Sequence, residues 1–436
     1  MRTIWTERRR SSMDKKVVGM GCVIVALTAA VMVQGTMIAG RMEAGPTEEV
    51  QKGFVLSGSV SANGKISDPE NAQRIQGNLS YIQSIIDEYY LYDSNETDQE
   101  TGIYKGFLGG LGDPYSAYYT PAEYENMMQK SKGEYSGIGA VLTQDPDTML
   151  ISVVRVYEDS PAEAGGLMPG DIIMKVDGED ISQMELSDAV MLIKGEEHTK
   201  VMLEVYRKDS YDRKTAEITR ENIELPTLTY RMMEDKIGYI YIASWEEVTT
   251  AQYIRAMEDL EQQGMEALVV DLRDNPGGVF TTVCQILDYM VEDGETLVYT
   301  LTKKGEKTEM KGGDGHAFRK PLAVIVNGNS ASASEIFAGG IQDFEAGTIV
   351  GTTTYGKGIV QRFITLGNHA AMKLTVSEYY LPSGVCIHKK GITPDVEVEL
   401  SEELRSKVSI APEEDNQLAK AIEVLKEELR RNQSAL

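Results

Sequence analysis

Histidine and cysteine are nearly missing from these 436 residues, which hold four His and three Cys. Neither a C-x-x-C nor an H-E-x-x-H spacing occurs, so no metal site is expected and no cofactor is read from the sequence. Cys22, Cys284 and Cys386 are too few and too scattered for a disulfide framework. Positive charge is also in deficit. Lys and Arg total 43 against 68 Asp and Glu, a formal charge of −25 that argues against nucleic acid as a partner. With 42% hydrophobic and 25% charged residues, the composition is globular, and the chain is long enough for two or three domains.

What the N-terminus does contain is one long uncharged run. Val17 to Ala39 spans 23 residues without a charge, behind Arg2, Arg8, Arg9, Arg10, Lys15 and Lys16. That length crosses a bilayer, and the basic flank holds its start in the cytoplasm. Residues 1–42 are therefore expected to be a basic flank and single transmembrane anchor in the cell membrane, with the rest of the chain on the extracytoplasmic side. A cleaved signal peptide is the competing reading and gives the same side; it fits less well, because its apolar region would be shorter and no convincing small-x-small cleavage site follows. Residues 43–67 are polar and contain Gly and Ser, as a linker does.

Residues 68–134 form a helical region. Pro69 opens a helix whose apolar face carries Leu79, Ile82, Ile85, Ile86 and Tyr89, and a second helix is expected over Thr101 to Leu111. Asp113-Pro114-Tyr115-Ser116 reads as a structural turn, and Thr120 with Glu123 as a capping box. Residues 135–221 read as a separate β-rich module, with short strands around helices beginning near Ser160 and Met184. From residue 222 to 400, strands and helices alternate. Pro412 to Asn432 is a charged helix within a C-terminal tail, 401–436, expected either to pack as a tail or to mediate self-association as a homo-oligomer.

The stretch Asn327 to Gln361 is where chemistry concentrates. Leu322 to Val326 is a short apolar strand, Asn327-Gly328-Asn329 a turn, and Glu335 to Phe344 has helical spacing. A serine at such a turn stands beside the unpaired N–H groups of a helix's first turn, which can stabilise an oxyanion. Ser332 occupies that place. With Glu335 it also makes an S-x-x-E capping box, a purely structural role that local sequence alone favours. Further on, Tyr355-Gly356-Lys357-Gly358-Ile359-Val360-Gln361 puts a lysine between two glycines at the start of an expected strand. On a strand, Lys357 and Gln361 would share one face.

S-A-S-A-S-E followed by Y-G-K-G-I-V-Q resembles the carboxy-terminal processing (tail-specific) peptidases, serine peptidases with a Ser/Lys pair, and the resemblance extends over roughly Asp68 to Glu399. It implies Ser332 as nucleophile, Lys357 as general base and Gln361 as the residue orienting it. It also implies an oxyanion hole from the N–H groups of Gly278, in Asn275-Pro276-Gly277-Gly278, and Ala333, with Gly277 as the alternative donor. A solvated lysine is charged at neutral pH, so this role requires burial of Lys357 and no acidic partner. Tyr355 stands where the family more often has Phe. Residues 135–221 resemble a PDZ domain. That implies a peptide's terminal carboxylate held on the backbone of Gly137, Ile138, Gly139 and Ala140, and protein substrates with free, apolar C-termini. The implied fold class is α/β: a crotonase-like catalytic core with an inserted β-rich PDZ domain and an N-terminal helical region, after a transmembrane helix. A catalytically silent PDZ scaffold is the alternative function; an acyl-CoA enzyme fits the PDZ insertion and export signal poorly.

Overall fold

The structure, a computed structural model, describes residues 68–435 apart from 208–211, 293, 314 and 408–409. The expected anchor and linker therefore lie outside the described residues. Among the described residues no helix is long and apolar enough to cross a membrane.

The chain divides into two units at Asp93. In the first, helix Pro69–Tyr89 starts with proline at its first position, where a missing N–H costs nothing, and none of its residues is buried.

The second unit is built on a six-stranded sheet. Its order is Leu228–Met232, Ile237–Ile242, Ala267–Asp271, Leu322–Val326, Thr348–Gly351 and Val396–Glu397. Only the first pairing is antiparallel. All ten residues of Ala267–Asp271 and Leu322–Val326 are buried, as expected of parallel strands covered on both faces. Side-chain alternation then divides them. Leu268, Val270, Leu322, Val324 and Val326 face helices Thr249–Gln262, Phe280–Met290 and Ala333–Asp343. Val269, Ala323 and Ile325 face Leu418, Ala421 and Leu425 of helix Asn416–Ala435. The C-terminal helix thus closes the second face of the sheet. Arg273 secures its start, bonding both Asp271 and Asp415, while Asp415 caps the helix through the N–H groups of Gln417 and Leu418.

A second, antiparallel sheet joins Thr296–Thr302, Lys307–Lys311, Ile359–Thr365 and Ala371–Tyr380 to Ala117–Tyr119. Ala117 pairs with Lys373, which brings this part of the helical region beside Ala371–Tyr380, the strand that also pairs with Ile359–Thr365 following Lys357.

The β-rich module has its own core, with Ile151, Ile173, Ile181, Val201 and Leu203 fully enclosed. The chain enters it along Glu134–Gly137 and leaves along Glu221–Glu224. These two strands pair with each other in an antiparallel ribbon, Gly137 opposite Glu221.

Candidate active site and peptide groove

Three serines stand at the sharp turn after strand Leu322–Val326, and the structure separates them. Ser330 donates to the Leu272 carbonyl at 2.8 Å and accepts from the Asn327 N–H at 3.0 Å. Ser334 donates to the Asn275 carbonyl at 3.1 Å and accepts from the Trp245 indole at 2.9 Å. Both are fully buried and knit the turn to the neighbouring loop. Ser332, between them, is only part-buried and has φ 56°, ψ −113°, a left-handed conformation rare outside glycine.

The Asn275-Pro276-Gly277-Gly278 loop packs against that serine. The Asn275 side chain accepts the Gly277 N–H at 2.9 Å and donates to the Ile242 carbonyl at 2.8 Å. A Cβ on Gly277 would lie 2.8 Å from the Ala331 carbonyl and from the Ser332 Cβ, so only glycine admits this approach. Since the Gly277 N–H is already bonded to Asn275, it makes the poorer oxyanion donor. Gly278 is fixed by an isolated bridge to Trp245 and makes no N–H hydrogen bond among the described residues. Ala333 begins its helix, so its N–H has no acceptor within that helix.

The capping residue has a larger role than its position suggests. Fully buried Glu335 accepts from the Ser332 N–H at 2.8 Å, the Lys357 N–H at 2.9 Å, the Gly356 N–H at 2.7 Å and the Thr354 hydroxyl at 2.5 Å. The Glu335 N–H itself donates to the Ser332 carbonyl at 2.9 Å, which leaves little for the serine hydroxyl to cap. Tyr379 adds a second tie, its hydroxyl donating to the Lys357 carbonyl at 2.7 Å and reaching the Ser332 carbonyl at 3.1 Å. One carboxylate and one phenol therefore join the backbones of Ser332 and Lys357.

Lys357 is part-buried and makes no ion pair among the described residues. Burial pushes its pKa down, Lys373 pushes the same way, and Glu335 and Asp113 pull weakly against both. Its ammonium lies 4.5 Å from the centroid of the Tyr115 ring. The shared strand face expected for Lys357 and Gln361 is not formed. The strand begins only at Ile359, and its register with Ala371–Tyr380 slips between Val360 and Gln361. Gln361 donates to Thr375 at 3.3 Å, and no hydrogen bond joins it to Lys357, nor Lys357 to the Ser332 side chain. Flanking glycines are the physical reason: a Cβ on Gly356 or Gly358 would meet the backbone of residues 388–391 at 2.6–3.2 Å, so the lysine is packed in a loop rather than a ladder.

In the β-rich module, strand Ala140–Gln144 is an edge strand, paired only with Ile151–Val156. Beside it runs a groove of about 390 Å³ lined by Ile138, Ala140, Leu142, Val190 and Ile193, an apolar floor for one side chain. Gly137 to Ala140 closes one end. Gly139 has φ 79°, and a Cβ there would lie 2.5 Å from that of Ser160, which explains the glycine.

The sequence contained no local sign of Tyr379 or Tyr115 at this site, since each arrives from a distant segment, and Thr354, though close to Lys357, carried no pattern that marked it as a partner of Glu335. Only the Glu335 side chain was visible, and only as half of a cap.

A strained serine elbow in an α/β domain, joined to a module with an open sheet edge and apolar groove, defines the class as a serine peptidase carrying a PDZ domain. Residues 236–398 match the model of Peptidase family S41, and residues 152–207 that of a PDZ domain. The chain is 33% identical to Carboxy-terminal processing protease CtpA of Bacillus subtilis, over 80% of this chain and 73% of the relative. It is 34% identical to the Carboxy-terminal-processing protease of Bartonella bacilliformis, over 80% and 81%. With the Carboxyl-terminal-processing protease of Synechocystis sp. it shares 32%, over 70% and 72%. The chain belongs to the carboxy-terminal processing proteases of peptidase family S41.

Proposed function

We propose that this is an exported, membrane-anchored endopeptidase that works through a Ser332/Lys357 pair on proteins presented by their C-terminal tails. Ser332 Oγ attacks the scissile carbonyl carbon while its proton passes to Lys357 Nζ. The resulting oxyanion lies against the N–H groups of Gly278 and Ala333. Breakage of the C–N bond takes the proton from the ammonium to the leaving amine, and water then releases the acyl group by the same steps. Gln361 steadies the region around the base through Thr375. The PDZ groove takes the free carboxylate on Gly137 to Ala140 and an apolar terminal side chain beneath it. The observation that carries this reading is the shared carboxylate of Glu335, which holds the backbones of a strained serine and a part-buried, unpaired lysine together.

A fluorophosphonate probe should label Ser332 in the wild type, and neither Ser332→Ala nor Lys357→Ala should be labelled appreciably. An unreactive wild-type protein would support the silent scaffold instead. The basic flank and uncharged run of residues 1–42 support an anchor with the catalytic and PDZ domains outside the membrane. Protease added to intact cells should then digest the PDZ module; complete protection there would refute the orientation.

A further inference from the structure

The turn Asp113 to Ser116 does more than join elements within the helical region. Asp113 accepts from the Tyr115 N–H at 3.0 Å and the Ser116 hydroxyl at 2.6 Å. Ser116 in turn accepts the Thr375 N–H at 3.1 Å, and Thr375 receives Gln361 at 3.3 Å. This chain of bonds runs from the turn to the strand beside Lys357. It fixes the Tyr115 ring with its face toward the Lys357 ammonium, 4.5 Å from centroid to nitrogen. The Tyr115 hydroxyl stands 3.5 Å from that of Tyr355, and that contact, with burial, pushes its pKa up to about 12. The phenol stays neutral in the working range, so what Tyr115 offers the lysine is its π face.

We propose that Tyr115 is a positioning residue for the peptidase reaction, its ring face receiving the positive charge that builds on Lys357 as it takes the Ser332 proton. The inference rests on the reading of Lys357 as the base. A part-buried lysine with no partner gives up its proton more readily than a solvated one, and by the same measure resists protonation in the transition state. A carboxylate in the same place would hold it charged from the start. An aromatic face lies between these, attracting the cation weakly enough to leave the amine available. The other charged groups acting on Lys357 are Lys373 from the adjoining sheet, Glu335 from the serine helix and Asp113 from the turn. Phe, Leu and Trp at 115 all lose the hydroxyl contact with Tyr355 alike, so the comparison among them isolates the ring face.

The test is the pH dependence of the rate at which the full chain is labelled by a fluorophosphonate. In the wild type the rate rises along a limb set by deprotonation of Lys357. Tyr115→Phe keeps the ring and should keep that limb. Tyr115→Leu keeps apolar bulk but loses the π face, so the ammonium is less favoured; the limb should move to lower pH by about half to one unit, with a several-fold lower plateau. Tyr115→Trp, with the stronger face, should move it to higher pH. A Leu limb coinciding with the wild type, or equal displacement in Phe and Leu, overturns the proposal. If Leu fails to fold, a Trp limb that does not rise overturns it equally. Lys357→Ala measured alongside separates the two readings. Wild-type labelling there removes lysine as the base, whereas loss of labelling with an unmoved Leu limb removes only the role of Tyr115.

Discussion

Ser332 pays a conformational cost of order 1–3 kcal/mol for its left-handed backbone. Its N–H on Glu335, its carbonyl under Tyr379, and Gly277 against its Cβ together leave it no relaxed alternative. Glu335 is the centre of that arrangement, with two donors on each oxygen. Glu335→Gln replaces one acceptor oxygen by an NH2 group that faces donors, which should destabilise the protein by roughly 2–4 kcal/mol in urea denaturation. Fluorophosphonate labelling should fall at least about a hundredfold, because the lysine backbone loses its tie to the serine. Wild-type stability and labelling in this variant would show the carboxylate to be expendable.

At the scale of elements, what could be read in advance was what neighbouring residues decide. Leu322 to Val326, the Asn-Gly-Asn turn and the helix after Ser332 follow from periodicity and turn chemistry, and the Thr120/Glu123 capping box forms as its spacing predicts. Lys357 and Gln361 failed as a strand pair because Gly356 and Gly358 admit the backbone of residues 388–391, a contact no local pattern encodes. Strands Thr296–Thr302 and Lys307–Lys311 were also missed. Lys307–Lys311 is mostly exposed with lysine at both ends, so it carries little of the apolar signal by which strands are recognised, whereas Thr296–Thr302, with Leu297 and Val298 buried, does carry it. The Asp113 turn looked merely structural because its partners, Thr375 and Lys357, lie about 250 residues along the chain.

For the molecule as a whole, the proposed function puts peptide capture and bond cleavage in different cores, and a test can address one without the other. Amidating the C-terminus of a substrate tail removes the charge that the Gly137 to Ala140 backbone would hold. It should lower kcat/KM by about tenfold or more while leaving fluorophosphonate labelling of Ser332 unchanged. Equal cleavage of free and amidated tails would remove end recognition from the function.

Through the ribbon of Glu134–Gly137 and Glu221–Glu224 the chain departs to the PDZ module and returns from it as cross-strand partners. A tight hairpin turn between Gly137 and Glu221 could take its place without stretching either strand. The module is in that sense a graft, inserted between two paired strands that belong to neither catalytic sheet. What such a core cuts can then change by exchange of one exposed head, while the serine, the lysine and the carboxylate beneath them stay where they are.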